Sequence, residues 1–399
     1  MSIMYHTAKL SEIAELNPRL DEPLESNTLV SFVPMSAVTA ESASTTTGEE
    51  RQYSEVSKGY TPFRDGDVLV AKITPCFENG KIAQATIGHR IGFGSTEFHV
   101  VRPINGKSDA RYLLHFLRQM RIRRDGERKM TGSAGQRRVP EHFLAKIEIP
   151  LPPLAEQRRI AEILDCAEAL RSKRRTTLSQ LDTLTQAIFF EMVGDPATNP
   201  KGWPVFKLGD LIADGPQNGL YKPASDYGSG TPILRIDAFY DGEVTKLTTL
   251  KRLRISDDEQ NLYRLYPGNI VINRVNSMAY LGKSALIPDL MELTVFESNM
   301  MRFDVDRVRI DSRYLVQFLQ TNFIKGLIQN AAKNAVNQSS INQQDVKGFQ
   351  INVPPLSLQH KFSSRVSAVE KLKAAHRTSL TEMDALFASL QHRAFRGEL

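Results

Sequence analysis

The chain has 399 residues, of which 41% are hydrophobic and 24% charged, and its formal net charge is +6. This length predicts two or three domains with apolar cores, and the two cysteines, Cys76 and Cys166, are too few for a disulfide framework. The first ten residues lack the apolar core of a signal peptide, and no uninterrupted apolar run reaches membrane-spanning length. The sequence therefore predicts a globular protein of the reducing cytoplasm and argues against a secreted or membrane-embedded one.

The first 150 residues alternate short β-type runs with helical ones. A helix is predicted over 109–124 with Asp109 as its N-cap, and a glycine-containing loop at 131–139 leads to a last strand before residue 150. Runs rich in β-branched and aromatic residues, bounded by turn residues, predict strands at 29–38, 65–73, 81–87 and 97–103. We expect residues 1–150 to form an α+β domain with a mixed sheet.

Residues 151–193 predict a long helix. The segment opens with Pro-Pro-Leu, which can neither continue a strand nor lie inside a helix, and no further proline follows until Pro196. Written in heptads, it places Ile160 at position a and Ile163 at position d, with Leu170 and Leu184 also at d and a polar step at Arg174. At 1.5 Å per residue the helix would span roughly 60 Å. A polar, proline-bearing linker follows over 194–206.

The whole arrangement occurs twice. Adding 202 to the numbering superposes DARYLLHFL at 109–117 on DSRYLVQFL at 311–319, and Gln157 on Gln359. This predicts a second domain over 207–352 and a second long helix over 353–399. The polar step recurs at His376, which favours two helices packed against each other with this step setting their register. The alternative is two unrelated amphipathic helices, each lying on its own domain.

Basic residues cluster in one region of the first domain. Eight lie between 118 and 138 against two acids, and together with a pI near 9.1 this favours phosphate contact over a solvated helix face. The matching stretch 320–340 has two lysines and seven amides instead. Arginine forks match the two acceptors of guanine, whereas Asn and Gln match adenine. We hypothesise that the loops at 135–138 and 337–340 face DNA, although the superposed Gln136 and Gln338 could instead brace both loops.

The candidate DNA-binding residues share a basic or amide side chain near these loops or near the matching glycine-lysine turns. They are Lys72, Lys81, Arg121, Arg123, Arg124, Gln136, Arg137, Arg138, Arg274, Lys283, Asn337 and Gln338.

Motifs for catalysis are missing from the sequence. The GFG at 92–94 lacks the third glycine of a dinucleotide fingerprint, and the GKS at 282–284 lacks the upstream glycine of a phosphate-binding loop. No histidine pair has metal-binding spacing on a helix, and NVPPL at 352–356 lacks the aromatic residue of an adenine methyltransferase motif. We therefore predict no catalytic, cofactor-binding or metal site in this chain.

The PLPPLAEQ helix start, the GDP-x-x-NPKGW linker, KLGDL at 207–211 and the terminal AFRGEL together resemble the DNA-specificity subunit of type I restriction-modification enzymes. The resemblance covers essentially the whole chain. It implies two target recognition domains, each reading half of a bipartite DNA site, and an antiparallel coiled coil that fixes their spacing. The implied partners are two methyltransferase subunits and the restriction subunits, which would carry S-adenosylmethionine, ATP and Mg²⁺. The second helix departs from the pattern, because PPLSLQHKFSSRV replaces PPLAEQRRIAEI.

For docking, the exposed charges of the first helix, Glu156, Arg158, Arg159 and Glu162, are the expected contacts to a methyltransferase subunit, against the alternative of a merely solvated face. Two rival functions remain open. One is a self-sufficient DNA methyltransferase or nuclease, which would need the missing motifs. The other is a coiled-coil scaffold without DNA readout, which would not need the basic stretch.

Overall fold

The structure, a computed structural model, describes residues 5–21, 23–45, 49–133, 135–245, 247–334 and 338–399, except for the side chain at 334. It divides into two compact units, one formed by 1–179 with 375–399 and the other by 180–374. Both divisions fall inside long helices, so each unit combines a globular part with segments of two long helices. Within the described ranges, none of the helices combines the length with the apolar content that a membrane span requires.

The first unit is built on two mixed sheets and five short helices, followed by the first long helix. Its strands are β1 (Thr7–Lys9), β2 (Ala14–Leu16), β3 (Leu29–Val33), β4 (Val38–Thr39), β5 (Ser44–Thr45), β6 (Glu49–Gln52), β7 (Thr61–Arg64), β8 (Val68–Ala71), β9 (Ile82–Gln84), β10 (Ile91–Gly94), β11 (Phe98–Pro103) and β12 (Glu148–Pro150). Its helices are α1 (Leu10–Ile13), α2 (Tyr53–Val56), α3 (Ala110–Leu117), α4 (Met120–Lys129), α5 (Glu141–Ala145) and the start of α6 (Leu154–Val193).

The six-stranded sheet of this unit has the order β2-β11-β8-β9-β5-β4, and the four-stranded sheet has the order β6-β3-β10-β7. Strand β8 is apolar throughout because both of its faces are covered. Val68 and Val70 point into the core beneath α3, whereas Leu69 and Ala71 belong to a second core on the opposite face. This explains why the sequence showed a continuous apolar run there rather than an alternation.

The helix predicted over 109–124 is wrong as a single element. Asp109 does cap it, since its carboxylate accepts hydrogen bonds from the first-turn N–H groups. However, α3 ends at Leu117, and the extended backbone of Gln119 turns the chain before α4 begins. α4 packs against the unit through a narrow face, where a Cβ at Gly126 would lie 2.6 Å from the ring of Phe77.

The second unit repeats the plan with strands β13–β26, helices α7–α10 and the second long helix. The strands are β13 (Val205–Lys207), β14 (Ile212–Asn218), β15 (Tyr227–Leu234), β16 (Phe239–Tyr240), β17 (Gly242–Val244), β18 (Lys251–Leu253), β19 (Ile270–Asn273), β20 (Val275–Asn276), β21 (Ser284–Leu286), β22 (Val295–Phe296), β23 (Met300–Val305), β24 (Lys333–Asn334), β25 (Ser339–Ser340) and β26 (Gln350–Asn352). The helices are α7 (Asp257–Leu262), α8 (Ser312–Leu319), α9 (Asn322–Ala331), α10 (Gln343–Lys347) and α11 (Leu356–Ala394).

The predicted duplication is confirmed in three dimensions. The order β14-β23-β19-β21-β17-β16 matches that of the first unit's six-stranded sheet strand for strand. Gln157 accepts the N–H of Asp109 at 2.9 Å and donates to the carbonyl five residues before it, also at 2.9 Å. Gln359 makes the same two hydrogen bonds, to Asp311 at 2.8 Å and to its own fifth preceding carbonyl at 2.7 Å. The matching glutamines tie each long helix to the aspartate-capped helix of its own copy, α3 or α8.

The linker after α6 closes the end of that helix. Gly194 adopts a φ of +91°, a conformation that favours glycine at a helix C-terminus. The Lys201 ammonium donates to two carbonyls of the last turn at 2.7 and 3.0 Å, and the Trp203 indole donates to the carbonyl of Val193 at 2.8 Å. The lysine, glycine and tryptophan of the linker motif thus satisfy carbonyls that a helix end leaves without partners.

In each unit the two long helices run antiparallel. In the first, Arg171 of α6 donates to Asp384 at 2.6 Å, and three residues further along α6, Arg174 contacts His376. Residues further along α6 therefore contact residues nearer the start of α11. The predicted polar step therefore lies between the helices, where Arg174 meets its own counterpart in the repeat.

An ion-pair triad is repeated in both units. Arg171 bridges Asp384 to Glu168, which accepts a hydrogen bond from it at 2.7 Å. In the second unit, Lys373 bridges Asp182 and Glu370, both at 2.8 Å. Each member of one triad is the counterpart of a member of the other under the shift of 202. The triads fix the antiparallel register at two matching points.

The predicted d positions of the helix pair are wrong by one residue. Leu164 and Thr185, each one residue after a predicted d position, are 0% and 5% exposed. The contact side repeats at intervals of four and then three residues from Ile160, not three and then four, so the predicted d residues fall on its flank. The exposed fraction is therefore between 43% and 56% for the predicted d residues Leu170 and Leu184 and for their counterparts under the shift of 202, Leu372 and Leu386.

Candidate nucleic-acid interface

Helix α4 presents a basic face to solvent. Ile122 and Gly126 are buried, which turns the opposite side outwards. Arg121, Arg124 and Arg128, three and four residues apart, are all exposed on that side. Two acids of α4 are exposed beside them, Asp125, 3.7 Å from Arg128, and Glu127. This stripe contains two of the predicted DNA-binding residues, Arg121 and Arg124, and has the charge and spacing to contact successive phosphates.

A hairpin follows α4 and carries three more predicted residues. Thr131 and Arg138 pair through backbone hydrogen bonds of 2.8 and 3.0 Å. The turn depends on Gly132, whose φ is +126° and whose Cβ would lie 2.7 Å from the carbonyl of Gln136. Gln136 itself is exposed at the tip, and a bridge between Ile73 and Arg138 sets the hairpin beside the end of β8.

The cations of this hairpin differ in how far neighbouring carboxylates neutralise them. Arg138 forms a two-pronged pair with Glu97, with the shortest bond at 2.8 Å, and this pairing lowers the pKa of the Glu97 carboxyl. The nearby charge of Lys72 lowers it further. Arg137 lies 4.0 Å from Glu78 and keeps 42% of its side chain exposed. The structure thus brings Lys72, Gln136, Arg137 and Arg138 together, with Arg137 the less neutralised of the two arginines.

Two predicted residues of the first unit turn inwards. Arg123 donates to the carbonyl of Glu78 at 2.8 Å, and burial, with the like charge of Arg124, lowers the pKa of its guanidinium. Lys81 donates to the carbonyl of Met35 at 3.0 Å. Both hydrogen bonds brace loops of the unit.

The second unit repeats the lysine and surrounds it with rings. Lys283 donates to the carbonyl of Ile236 at 2.6 Å, as Lys81 does to Met35, and its ammonium lies 3.9 Å from the ring centre of Tyr240 and 5.7 Å from that of Tyr280. Arg274 is half-buried and donates to the carbonyl of Ser298 at 3.2 Å. Sequence reasoning missed the tyrosines, because only the folded loops bring them to Lys283.

The hairpin also recurs in the second unit. Lys333 pairs with Ser340 as Thr131 pairs with Arg138, and Val275 pairs with Ser340 as Ile73 bridges to Arg138. Gln338 is exposed just before β25, whereas Asn337 lies outside the described residues. The exposed side of α9 carries amides and one lysine in place of the arginines of α4: Asn322, Lys325, Gln329 and Asn330.

The predicted docking residues lie in the first turns of α6. Glu156 and Arg159 pair with each other at 2.8 Å, and Arg159 also donates to the carbonyl of Leu399 at 3.0 Å. Arg158 is 66% exposed, 3.9 Å from the carboxylate that caps α3, and Glu162 is exposed. Arg158 and Glu162 are therefore the two that face solvent most openly. In the described part of the chain, no group of three or more His, Cys, Asp or Glu side chains is placed to hold a metal ion.

Comparison with known proteins identifies the family to which both halves of the chain are similar. The family model for the type I restriction modification DNA specificity domain matches residues 5–180 and 200–383. The EcoEI specificity subunit of Escherichia coli is 25% identical over 94% of this chain and 81% of its own length. The EcoAI specificity subunit of Escherichia coli is 38% identical over 45% of this chain and 31% of its own length.

Two solved structures share the fold. A chain from a structural study of complex assembly in the type I R-M system aligns over 100% of this chain and 99% of its own, with a TM-score of 0.57 and 20% identity. The type I restriction-modification S subunit from M. genitalium aligns over 98% and 96%, with a TM-score of 0.56 and 13% identity. Since the specificity-domain model matches both halves and nearly the whole length, the chain belongs to the type I restriction modification DNA specificity family.

Proposed function

We propose that this chain reads a bipartite DNA target for a type I restriction-modification enzyme, with one recognition domain for each half-site. As a member of the specificity family, it is a recognition protein and not the catalyst. The observation that carries the proposal is the repeated hairpin and helix, which have the same pairing in both units but different exposed side chains. One scaffold with two sets of exposed groups suits a protein that reads two different sequences.

The proposed domains are residues 1–150 and 207–352, each followed by a helical repeat, at 151–193 and 353–399, with a linker at 194–206. In the first domain, Arg121 and Arg124 contact phosphates, and Arg137 at the hairpin contacts phosphate or guanine. In the second, Gln338 and Asn337 read adenine. Arg138 contributes less, because Glu97 already holds its guanidinium in a two-pronged pair.

Docking of methyltransferase subunits is part of the same proposal. In the first unit Leu170 of α6 and Leu386 of α11 are exposed, and both precede a contact position by one residue. Equivalent flank positions of an antiparallel helix pair lie on one side of it, so the two leucines form an apolar patch. Leu184 and Leu372 form the matching patch in the second unit. Two equivalent patches suit two copies of one partner.

Arg158 and Glu162 add two charged side chains to α6, the helix that carries Leu170. The matching positions of α11 lack this pair, because they are His360 and Ser364. The restriction subunits would join through this complex. The partners bind S-adenosylmethionine, ATP and Mg²⁺, and this chain recognises the DNA target.

DNA binding by the full chain tests the proposal. Replacing Arg137 with alanine should weaken binding and reduce the slope of log affinity against log salt by about one unit, because one phosphate contact is lost. The Lys371→Ala variant removes an equal charge from an exposed position of α11 and should leave the slope unchanged. Equal slopes for wild type and both variants would exclude the hairpin from the interface.

The two rival functions predict different results. A self-sufficient methyltransferase or nuclease would modify or cut DNA as the purified chain alone. A scaffold without readout would show no salt-dependent DNA binding at all.

A further inference from the structure

The first unit contains a cleft of 410 Å³ between α3, α4 and the segment of α11 in that unit. Three arginines belong to its polar lining: Arg118 follows α3, Arg123 projects from α4, and Arg171 belongs to α6. Phe387 of α11 supplies an apolar wall, against which the Arg171 guanidinium stacks at 4.4 Å from the ring centre. The basic face of α4 described above lies on the solvent side of that helix, so the cleft is a separate feature.

Carboxylates do not balance the arginines of the cleft. Glu168 and Asp384 are the acids in its lining, and both are shared by Arg171 and Arg175, at distances from 2.6 to 3.4 Å. Arg118 approaches Glu168 only at 3.9 Å. Burial lowers the pKa of the Arg118 guanidinium. The carboxylate of Glu168 opposes this shift, and the like charges of Arg123 and other arginines add to it. The lining therefore contains three arginines and two acids, and Arg175, outside the lining, pairs with the same two acids.

Arg123 also has hydrogen-bonding capacity to spare. One terminal nitrogen donates to the carbonyl of Glu78, but its Nε–H is buried and has no partner among the described residues. A buried donor without a partner costs roughly 1–3 kcal/mol, and a charged one more. Within the described part of the chain, Arg123 has no carboxylate within ion-pair distance either. A bound anion would supply the counter-charge that the Arg123 guanidinium lacks.

The same position in the second unit has a different character. Gln320 and Lys325 replace Arg118 and Arg123, and Lys373 replaces Arg171. Adjoining clefts there measure 330, 150 and 130 Å³. Their lining contains as many acids as bases: Asp182, Asp241 and Glu370 against Lys283, Lys325 and Lys373. The excess of cations belongs to the first unit and is not a property of the repeated scaffold.

We propose that the cleft of the first unit binds a small phosphate-bearing anion, held by the guanidinium groups of Arg118 and Arg123. Arginine forks bind phosphate oxygens with paired hydrogen bonds, and these bonds are stronger where water is excluded. The volume suits a ligand of nucleotide size. A DNA duplex does not fit into this cleft, because the duplex is wider than its own major groove, and that groove is already about 12 Å wide. The inference goes beyond DNA recognition and does not depend on it.

Calorimetric titration of the full chain with sodium pyrophosphate, at constant ionic strength, tests this assignment. Wild type should bind one pyrophosphate per chain. Arg123→Gln should lose at least tenfold in affinity, because it removes the charge and the fork. Arg123→Lys, which keeps the charge, should lose less. The matched control is Lys325→Gln in the second unit, which should bind as wild type does. Thermal melts confirm that each variant is folded.

Three results would overturn the proposal. The first is the absence of binding at millimolar pyrophosphate. The second is equal loss in Arg123→Gln and Lys325→Gln, which would indicate a non-specific effect of surface charge. The third is displacement of pyrophosphate by a short DNA duplex, which would assign the cleft to the DNA path instead of to a small anion.

Discussion

Replacing Lys373 with methionine tests the repeated ion-pair triad. The lysine side chain is 5% exposed and contacts Asp182 and Glu370, both at 2.8 Å. Methionine keeps the packing of the stem but leaves the two carboxylates without their shared cation. Asp182 is 59% exposed, so its pair contributes only a few tenths of a kcal/mol, whereas the pair with the 12%-exposed Glu370 contributes about 1.5 kcal/mol. The free energy of unfolding should fall by about 2 kcal/mol.

Scanning calorimetry measures the effect. For a unit of this size, about 2 kcal/mol corresponds to a decrease in Tm of about 4–8 °C. Lys371→Met is the control, since Lys371 is exposed on the same helix and its replacement should leave Tm nearly unchanged. Arg171→Met should lower the stability of the first unit for the same reason. A Tm of Lys373→Met equal to that of the Lys371 control would refute the view that the triads fix the helix register.

Further predictions concern DNA, acid and docking. Arg121→Gln combined with Arg124→Gln should reduce the salt slope of DNA binding by about two units, and a gel-shift series over salt concentration would show it. Burial lowers the pKa of His115 despite Asp165, 2.7 Å away, so stability should fall as pH drops below about 6.5, where the unfolded chain takes up the proton more readily. His115→Gln should remove this loss in melts at pH 7 and pH 5, because glutamine does not take up a proton. The second unit has Gln317 at the matching position. Leu170→Gln with Leu386→Gln should leave Tm unchanged but abolish co-purification of one methyltransferase subunit; retention of both subunits would argue against the patch.

The duplication and its local signals were readable from the sequence because they depend on short-range chemistry. Asp109 caps α3 as predicted, since an aspartate before an apolar helical run can accept first-turn N–H groups, and its counterpart Asp311 caps α8. The shift that superposes Gln157 on Gln359 also superposes their hydrogen bonds. The polar step was placed correctly as well, because Arg174 and His376 do contact each other.

The remaining errors arise where tertiary packing decides. The apolar residues of the long helices fit two heptad assignments whose d positions differ by one residue. Leucines such as Leu170 favoured the wrong assignment, although they are exposed in the structure. Whether a basic side chain points to solvent or into the protein cannot be predicted from its place in a basic stretch of the sequence. Arg123 and Lys81 turn inwards because carbonyls of neighbouring loops accept their hydrogen bonds, and those loops approach only in the fold. The rings around Lys283 come together for the same reason.

In the proposed function, each recognition domain reads one half of a bipartite DNA site. Replacing residues 207–352 with the corresponding segment of a relative of different specificity tests this division of the target. The methylated adenines are then mapped by sequencing DNA from cells that also carry the partner subunits. We predict that one half-site changes, while the other half-site and the spacer length stay as in the parent. A motif altered in both halves, or in neither, would contradict the account.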